Sequence, residues 1–570
     1  MAVTRPGGRL RRLWDLPFGW HAAALALILL SLLPLMSLGS SFTSDDGIYA
    51  LQVQSLDHGS WAFDYRAAPL DPEGTYFPLA RSTRSGDSFF HVSHPLYPVL
   101  MLAGRRLAGP RYGLHVVSLL GALAAAAAAW LLASELDPRS SRFAFWLVAA
   151  SPAVANGYLL WAHSLSAALA GVAMAAAVRV VRRGATPLVV AALAAALAAG
   201  ALLRSEAVLF ALVVAGAIAV YRARRHGLPA GIVTFVAVGG PTGLAVLVER
   251  RWTAAILGRA TESLGLREST APSSYLGGRA SGAWHELFNA HYSDPGAMLP
   301  VLVVVGLVVG LGFLTLRQWR PRSRRDLVFI AAMVVVLVAV RMTLFPDDTV
   351  TGLFAAWPLG LLGLLLLRRG DGDDEDVGPA IALVLVIVTG FVAAVVLTQY
   401  PEGGGLEWGG RFLSPIVVPV AVLAVLAFRR RLAGLPLPDR RVATACLSVV
   451  AVATAGLGVF AIAEGRAAND RVIAAFSRHP APVMVTTVPE LGLLAWRTQA
   501  QLTWMLTDEA GLPSLFTRLG DRGLSEVAVV TDRVEGPGRG PRVWPDGWTG
   551  REVDEPALRD VGLGLFVLRR

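Results

Sequence analysis

A succession of long, uncharged apolar runs restricts this chain more than any other feature. About thirteen can be drawn, at roughly 18 to 40, 111 to 134, 142 to 160, 163 to 181, 186 to 203, 205 to 221, 228 to 248, 297 to 316, 327 to 345, 351 to 367, 378 to 398, 412 to 428 and 442 to 463. Each approaches the ~20 residues a helix needs to cross the hydrocarbon of a bilayer. Backbone groups in hydrocarbon must be satisfied within the segment, so such runs are expected as helices. The expected fold is a polytopic α-helical membrane protein of about thirteen transmembrane helices. Composition agrees, since 54% of the 570 residues are hydrophobic and only 16% are charged, which excludes an ordinary soluble class.

The basic residues set the expected topology. The sequence contains no lysine, so the formal net charge of +10 comes from arginine. Every second connection between runs is arginine-rich: Arg139 and Arg142; Arg179, Arg182 and Arg183; Arg222, Arg224 and Arg225; Arg317 to Arg325; Arg368 and Arg369; Arg429 to Arg431 with Arg440 and Arg441. The positive-inside rule places these in the cytoplasm, together with Arg5, Arg9, Arg11 and Arg12. The arginines therefore report topology, not nucleic acid. The first run lacks the small-residue cleavage pattern of a removable signal and is expected to be retained. The outer set of connections holds two long loops, about 41 to 110 and 249 to 296, and short turns near Ala162, Arg204, Pro346 and Glu402. The single cysteine, Cys446, lies in an apolar run, which excludes an internal disulfide and a thiolate metal site.

Beyond about residue 464 the apolar runs shorten to 482–487, 527–532 and 563–568, with helix-like stretches between them. Residues 465–570 are expected to form a small α/β domain, which an odd number of spans puts outside the cytoplasm. No glycine-rich phosphate loop joins a strand to a helix there. Gly536 to Arg542 reads as a loop.

Everything that looks chemical lies in the outer set. Asp45 and Asp46 follow the first span at once, in Phe42-Thr43-Ser44-Asp45-Asp46-Gly47-Ile48-Tyr49. Such a pair can serve as a catalytic base and its partner, or Ser44 or Asp45 can simply cap the amphipathic stretch that follows. A second cluster, Phe89-Phe90-His91-Val92-Ser93-His94-Pro95-Leu96-Tyr97-Pro98, precedes an apolar stretch suited to a helix lying in the interface. Its histidines can donate hydrogen bonds to phosphate or sugar, or belong to a proline turn; no carboxylate-rich set completes a metal shell. Arg204-Ser205-Glu206 interrupts two apolar runs, where ionisable groups are costly, and either serves function or closes on itself as an ion pair. Glu407-Trp408-Gly409-Gly410-Arg411-Phe412 places an arginine at the lip of a late run, with two glycines that allow close backbone approach. Asp347-Asp348 is a further acidic pair that a turn cap explains.

The first span followed at once by an acidic pair, the outer loop ending in His94-Pro95-Leu96-Tyr97, and the late Gly409-Gly410-Arg411-Phe412 resemble the GT-C superfamily of integral-membrane glycosyltransferases. Members related to protein mannosyltransferases and to aminoarabinose and arabinofuranosyl transferases look closest. The resemblance covers roughly residues 15 to 465. It departs at His94, where relatives often carry lysine before the proline.

The resemblance implies inverting transfer of a sugar from a polyprenyl-phosphate donor to an envelope glycan, lipid or protein acceptor on the outer face of a bacterial cytoplasmic membrane. It implies Asp45 or Asp46 as the base, and His94, Arg204 and Arg411 as ligands of the donor phosphate. Tyr49, His91, Tyr97, Glu206, Glu407 and Trp408 are the expected substrate contacts. No cofactor is implied, a divalent cation on Asp45 or Asp46 being the minority alternative. The outer domain is expected to position a long acceptor, so that deleting residues 466 to 570 would hurt long acceptors more than short ones. The competing class is a multi-span transporter or flippase for a lipid-linked precursor, but no paired repeat with broken helices is evident.

Overall fold

The computed structural model describes residues 16–91, 93–258, 275–289, 349–367, 377–398, 408–479, 481–532 and 544–570. Glu407, Val92, Asp347-Asp348, the runs 297–316 and 327–345, the N-terminal arginines, the arginines of 317–325 and 368–369, Pro346, Glu402 and Gly536 to Arg542 lie outside the described residues, as do 259–274 and 290–296 of the second long loop.

Among the described residues, eight helices are long and apolar enough to cross a membrane: Phe18–Leu35, Leu96–Leu136, His163–Arg183, Ser205–His226, Leu228–Leu257, Gly378–Thr398, Arg411–Ala433 and Leu437–Arg478. The chain is a multi-pass helical membrane protein. Three expected spans differ, and proline explains two of them. The 142–160 run forms Ser141–Ala149 and then breaks at Pro152 into short turns. The 351–367 run splits into Leu353–Ala356 and Pro358–Leu366, with Pro358 at the second start. Pro187–Ala201 is a helix of 15 residues, shorter than a full crossing. The stretch after His94 is helical from Leu96, but Gly109 (φ 78°, ψ 173°) and Pro110 interrupt it, so an initial helix is set off from the span beyond.

The Val417–Ala433 helix is the axis of the membrane part: every residue from Val417 to Phe428 is buried. The helices around it pack through small residues. A Cβ on Gly171 would collide with Ala128 and Val418, and one on Gly121 would strike the backbone at Leu165. Close approach of this kind replaces the hydrophobic drive that lipid does not supply. By contrast Leu228, Ile232, Val233, Val236, Leu244 and Leu247 on Leu228–Leu257 are exposed, as a lipid-facing surface should be.

The last long helix runs unbroken from Leu437 to Arg478, through the expected domain boundary at 464/465. Its end packs on a five-stranded sheet of order β4-β3-β5-β7-β6, built from β3 (Val483–Thr486), β4 (Thr503–Leu506), β5 (Glu526–Asp532), β6 (Thr549–Val553) and β7 (Leu563–Arg569). β3 pairs in parallel with β4 and β5, and β7 pairs antiparallel with β5 and β6. Ile473 and Phe476 cover one face with Met484 and Ala528, whereas Leu515 and Phe516 of the Leu512–Asp521 helix cover the other with Val483 and Val529. The strands buried on both faces read as continuous apolar runs, which is why β3 and β5 were visible in sequence. β4 and β6 were not expected; they are short edge strands, and β6 is largely exposed.

The first long loop is folded onto this domain. It carries a small hairpin, β1 (Thr83–Ser85) with β2 (Ser88–Phe90). The Leu506 N–H at the β4 edge donates to the Tyr76 carbonyl at 2.8 Å. Asp71, fully buried, accepts from the Tyr65 hydroxyl at 2.7 Å and pairs with Arg518 at 3.0 Å. Loop and sheet thus form one body.

Candidate active site

The acidic pair opens the Ser44–Asp57 helix, with Thr43 extended as its N-cap and both carboxylates in the first turn. That position suits negative charge, because the first N–H groups of a helix lack internal partners. The two neighbours nevertheless face different surroundings.

Asp46 is fully buried. Its Oδ2 accepts from the Phe42 N–H at 2.8 Å, reaching back over the helix start, and its Oδ1 accepts from the Leu160 N–H at 2.7 Å. Arg466, equally buried, lies 3.5 Å from Oδ2. Burial raises the carboxyl pKa against the pull of Arg466 and the two amides. Both oxygens of Asp46 are committed to the scaffold. No side chain caps this helix start, neither Ser44 nor Asp45.

Asp45, at 15% side-chain exposure, is ion-paired with Arg81 through Oδ1 and lies 2.9 Å from Arg411 Nη1 through Oδ2. Burial alone would raise its pKa, but Arg411, Arg81 and Arg204 outweigh it, and the carboxyl lies below its ordinary value. Arg81 also reaches Glu490 of the C-terminal sheet domain at 3.3 Å.

Arg411 is aimed by its two preceding residues. Gly409 (φ 72°) and Gly410 (φ 67°) both adopt the left-handed conformation, and their N–H groups donate to the carbonyls of Val350 and Thr351. A Cβ at Gly410 would meet the Glu286 carbonyl at 2.9 Å, so position 410 needs glycine on two counts. The guanidinium lies over Trp161 at 5.4 Å and Phe412 at 5.0 Å from the ring centroids, a weak attraction that fixes its plane.

Arg204 directly precedes the Ser205–His226 helix and donates from Nε to Glu206 Oε1 at 2.7 Å, with Glu206 fully buried. The pair closes on itself, and the guanidinium still acts on Asp45. His94 sits at φ 50°, and its Nδ1 lies 2.8 Å from Glu249 on the Leu228–Leu257 helix. His91 packs edge-on to Tyr49 at 5.7 Å, and its Nδ1 is 3.4 Å from the Arg81 carbonyl. Tyr49 is buried, its hydroxyl pushed up to about 12 chiefly by burial, so it remains a donor.

Two expected substrate contacts are packed into the protein interior. Trp408 is 2% exposed in the main core, its indole against Gly458 and its carbonyl accepting from Asn156 at 3.1 Å. Tyr97 is fully buried, edge-on to Tyr49 at 5.2 Å, with its hydroxyl 2.7 Å from Ser118. Both stand as walls of the packed interior, Trp408 by its burial and Tyr97 by its burial and its hydroxyl's bond to Ser118.

The structure also brings in Arg81, Arg466, Glu490, Glu249 and His163, which sequence reading passed over. Arg466 left a trace, an arginine directly behind the last apolar run. Arg81 left none, being one of several arginines in a polar loop. Among the described residues, no three His, Cys, Asp or Glu side chains converge as a metal-ligand set.

No protein-family model matches the chain, and no curated protein matches it. Among solved structures it is similar to ArnT from Cupriavidus metallidurans bound to undecaprenyl phosphate (TM-score 0.45, 13% identity, 90% of this chain and 92% of that chain). It is also similar to ArnT in the apo state (0.47, 13%, 90% and 92%). A third similar structure is the archaeal oligosaccharyltransferase AglB from Archaeoglobus fulgidus in complex with an inhibitory peptide and a dolichol-phosphate (0.44, 14%, 90% and 69%).

Proposed function

We propose that this chain is a GT-C-type membrane glycosyltransferase that moves a sugar from a polyprenyl-phosphate carrier to an envelope glycan, lipid or protein acceptor. The observation that carries the proposal is Asp45, a carboxylate bracketed by Arg81 and Arg411 at the head of a helix next to the membrane spans, while its neighbour Asp46 is wholly engaged in structure. A charged base beside clustered cations suits a reaction with a nucleophilic hydroxyl and a phosphate leaving group.

In this reading Asp45 accepts the proton of the acceptor hydroxyl as its oxygen attacks the anomeric carbon. The new glycosidic C–O bond forms as the bond from that carbon to the phosphate oxygen breaks. The electron pair leaves with the polyprenyl phosphate, and a single displacement inverts the anomeric centre. Phosphate is a weakly basic leaving group, so it needs positive charge more than a proton, and Arg411 and Arg204 supply it. Arg411 then has two partners in turn: Asp45 before the donor arrives, the phosphate afterwards. Loss of that pairing frees Asp45 as a base when the donor is in place. The reading is metal-free, the guanidinium groups standing where a cation would act. The N-terminus is assigned to the cytoplasm and the acidic helix and sheet domain to the outer face of a bacterial cytoplasmic membrane, on the arginine pattern.

The test is transfer from a panel of radiolabelled polyprenyl-phosphate sugars to an envelope extract by wild type, Asp45→Asn and Asp46→Asn, with and without chelator. Consumption of one donor by wild type and none by Asp45→Asn supports the reading. Equal turnover by Asp45→Asn overturns it.

A further inference from the structure

Resting on the glycosyl-transfer reading, we propose that His163 is a further phosphate ligand of the site, donating a hydrogen bond to the carrier phosphate alongside Arg204 and Arg411. His163 opens the His163–Arg183 helix and is 1% exposed. Neither of its ring nitrogens has a hydrogen-bond partner among the described residues. Buried polar atoms are nearly always paired, and a side chain with two orphaned nitrogens calls for an explanation.

Its surroundings point to an anion. The imidazole stacks at a tilt on Trp161, 4.9 Å between centroids, and the Arg411 guanidinium lies over that same indole. Ala162 and Leu203, which adjoin His163 and Arg204 in sequence, pack in one cluster with Tyr49 and Tyr97. Burial dominates the ring's surroundings, and Arg204, Arg411 and His94 lie near enough to act on it electrostatically. Three cationic or donor groups thus gather around a buried ring that has a donor to give and no acceptor to take it. The ring also stands at a helix start, where free N–H groups and the helix dipole favour negative charge. A phosphate completes this arrangement. A core histidine packed for shape alone would be expected to have at least one nitrogen bonded to protein.

Direct binding to the full-length protein in nanodiscs tests this, with undecaprenyl phosphate as one probe and inorganic phosphate as the other. His163→Phe and His163→Leu remove the donor, and His163→Gln restores one on a side chain of similar reach. Thermal melting identifies which variants are folded, and the leucine variant carries the same reading if the phenylalanine variant does not fold. The expected result is about tenfold weaker binding of undecaprenyl phosphate by the donor-free variants, with His163→Gln within about threefold of wild type, the scale of one hydrogen bond to a charged group. Loss for both probes assigns the contact to the phosphate group itself. Loss for the lipid with wild-type binding of inorganic phosphate overturns the inference, because the ring then acts on the tail and not on the phosphate. Wild-type affinity for undecaprenyl phosphate in folded His163→Phe or His163→Leu overturns the inference and leaves the transferase reading standing. A wild-type protein that binds neither probe overturns both.

Discussion

The Arg466 guanidinium lies 3.5 Å from the Asp46 carboxylate, and both side chains are fully buried. One sits near the end of the last long helix and the other in the first turn of the acidic helix, so the ion pair clamps the head of the site to the far end of the sequence. Arg466 adds further ties, its carbonyl accepting from Ser40 at 2.6 Å. Asp46→Asn leaves Arg466 as an uncompensated buried charge, and such losses cost about 3 to 5 kcal/mol. A marked fall in melting temperature is expected for Asp46→Asn, with Asp45→Asn melting close to wild type yet inactive. Parallel melting curves and turnover for the two variants check this division of labour.

The acid limb of kcat/KM reports the base of the free enzyme. Arginine pairing holds Asp45 below the ordinary 3.8, so Asp45 stays ionised, and kcat/KM stays level, to below that pH. Arg81→Met removes one of the opposing charges while burial remains. The Asp45 pKa then rises, and the acid limb moves to higher pH. A pH profile of Arg81→Met that overlies wild type would show that Asp45 is not the titrating base.

Gly47 lies directly against the C-terminal sheet domain: a Cβ there would collide with the Leu493 carbonyl. Backbone cannot move aside as a flexible side chain can. Gly47→Ala is expected to destabilise by roughly 1 to 3 kcal/mol, as overpacking does, and to lower kcat by displacing Asp45. Thermal melting and steady-state rates together check it, and wild-type values in both would remove the Gly47 contact as a positioning element.

Gly410→Ala should misdirect Arg411, because alanine meets both the φ of 67° and the Glu286 carbonyl. The left-handed conformation alone costs about 1 to 2 kcal/mol for a residue with a Cβ. Binding of undecaprenyl phosphate is expected to fall at least as far as in Arg411→Gln, measured on the same preparation.

Deleting residues 466 to 570 is expected to abolish transfer to short and long acceptors alike. The deletion removes Arg466 from Asp46, Glu490 from Arg81 and the sheet from Tyr76. Assays with two acceptor lengths decide the matter: selective loss of the long one would mean that the domain only presents acceptor, as sequence alone suggested.

The sequence by itself determined the class of fold, because hydrocarbon admits few backbone solutions and runs of some twenty apolar residues announce them. It also marked Asp45, Arg204 and Arg411 as candidates, since charged residues at the edges of apolar runs are conspicuous and the glycines before Arg411 have a local conformational cause. The buried central strands β3 and β5 were legible for the same reason, as continuous apolar runs. What it could not separate was Asp45 from Asp46. Adjacent residues on a helix point in different directions, and only the docking of Leu160, Arg466 and Arg411 decides which carboxylate is bonded into the scaffold and which faces the arginines. The burial of Trp408 and Tyr97 was not legible, because an aromatic side chain looks the same in sequence whether it faces a cavity or a neighbouring helix. Arg81 and His163 were invisible until the loop and the helix starts were brought together, since their significance lies in contacts between segments far apart in the chain.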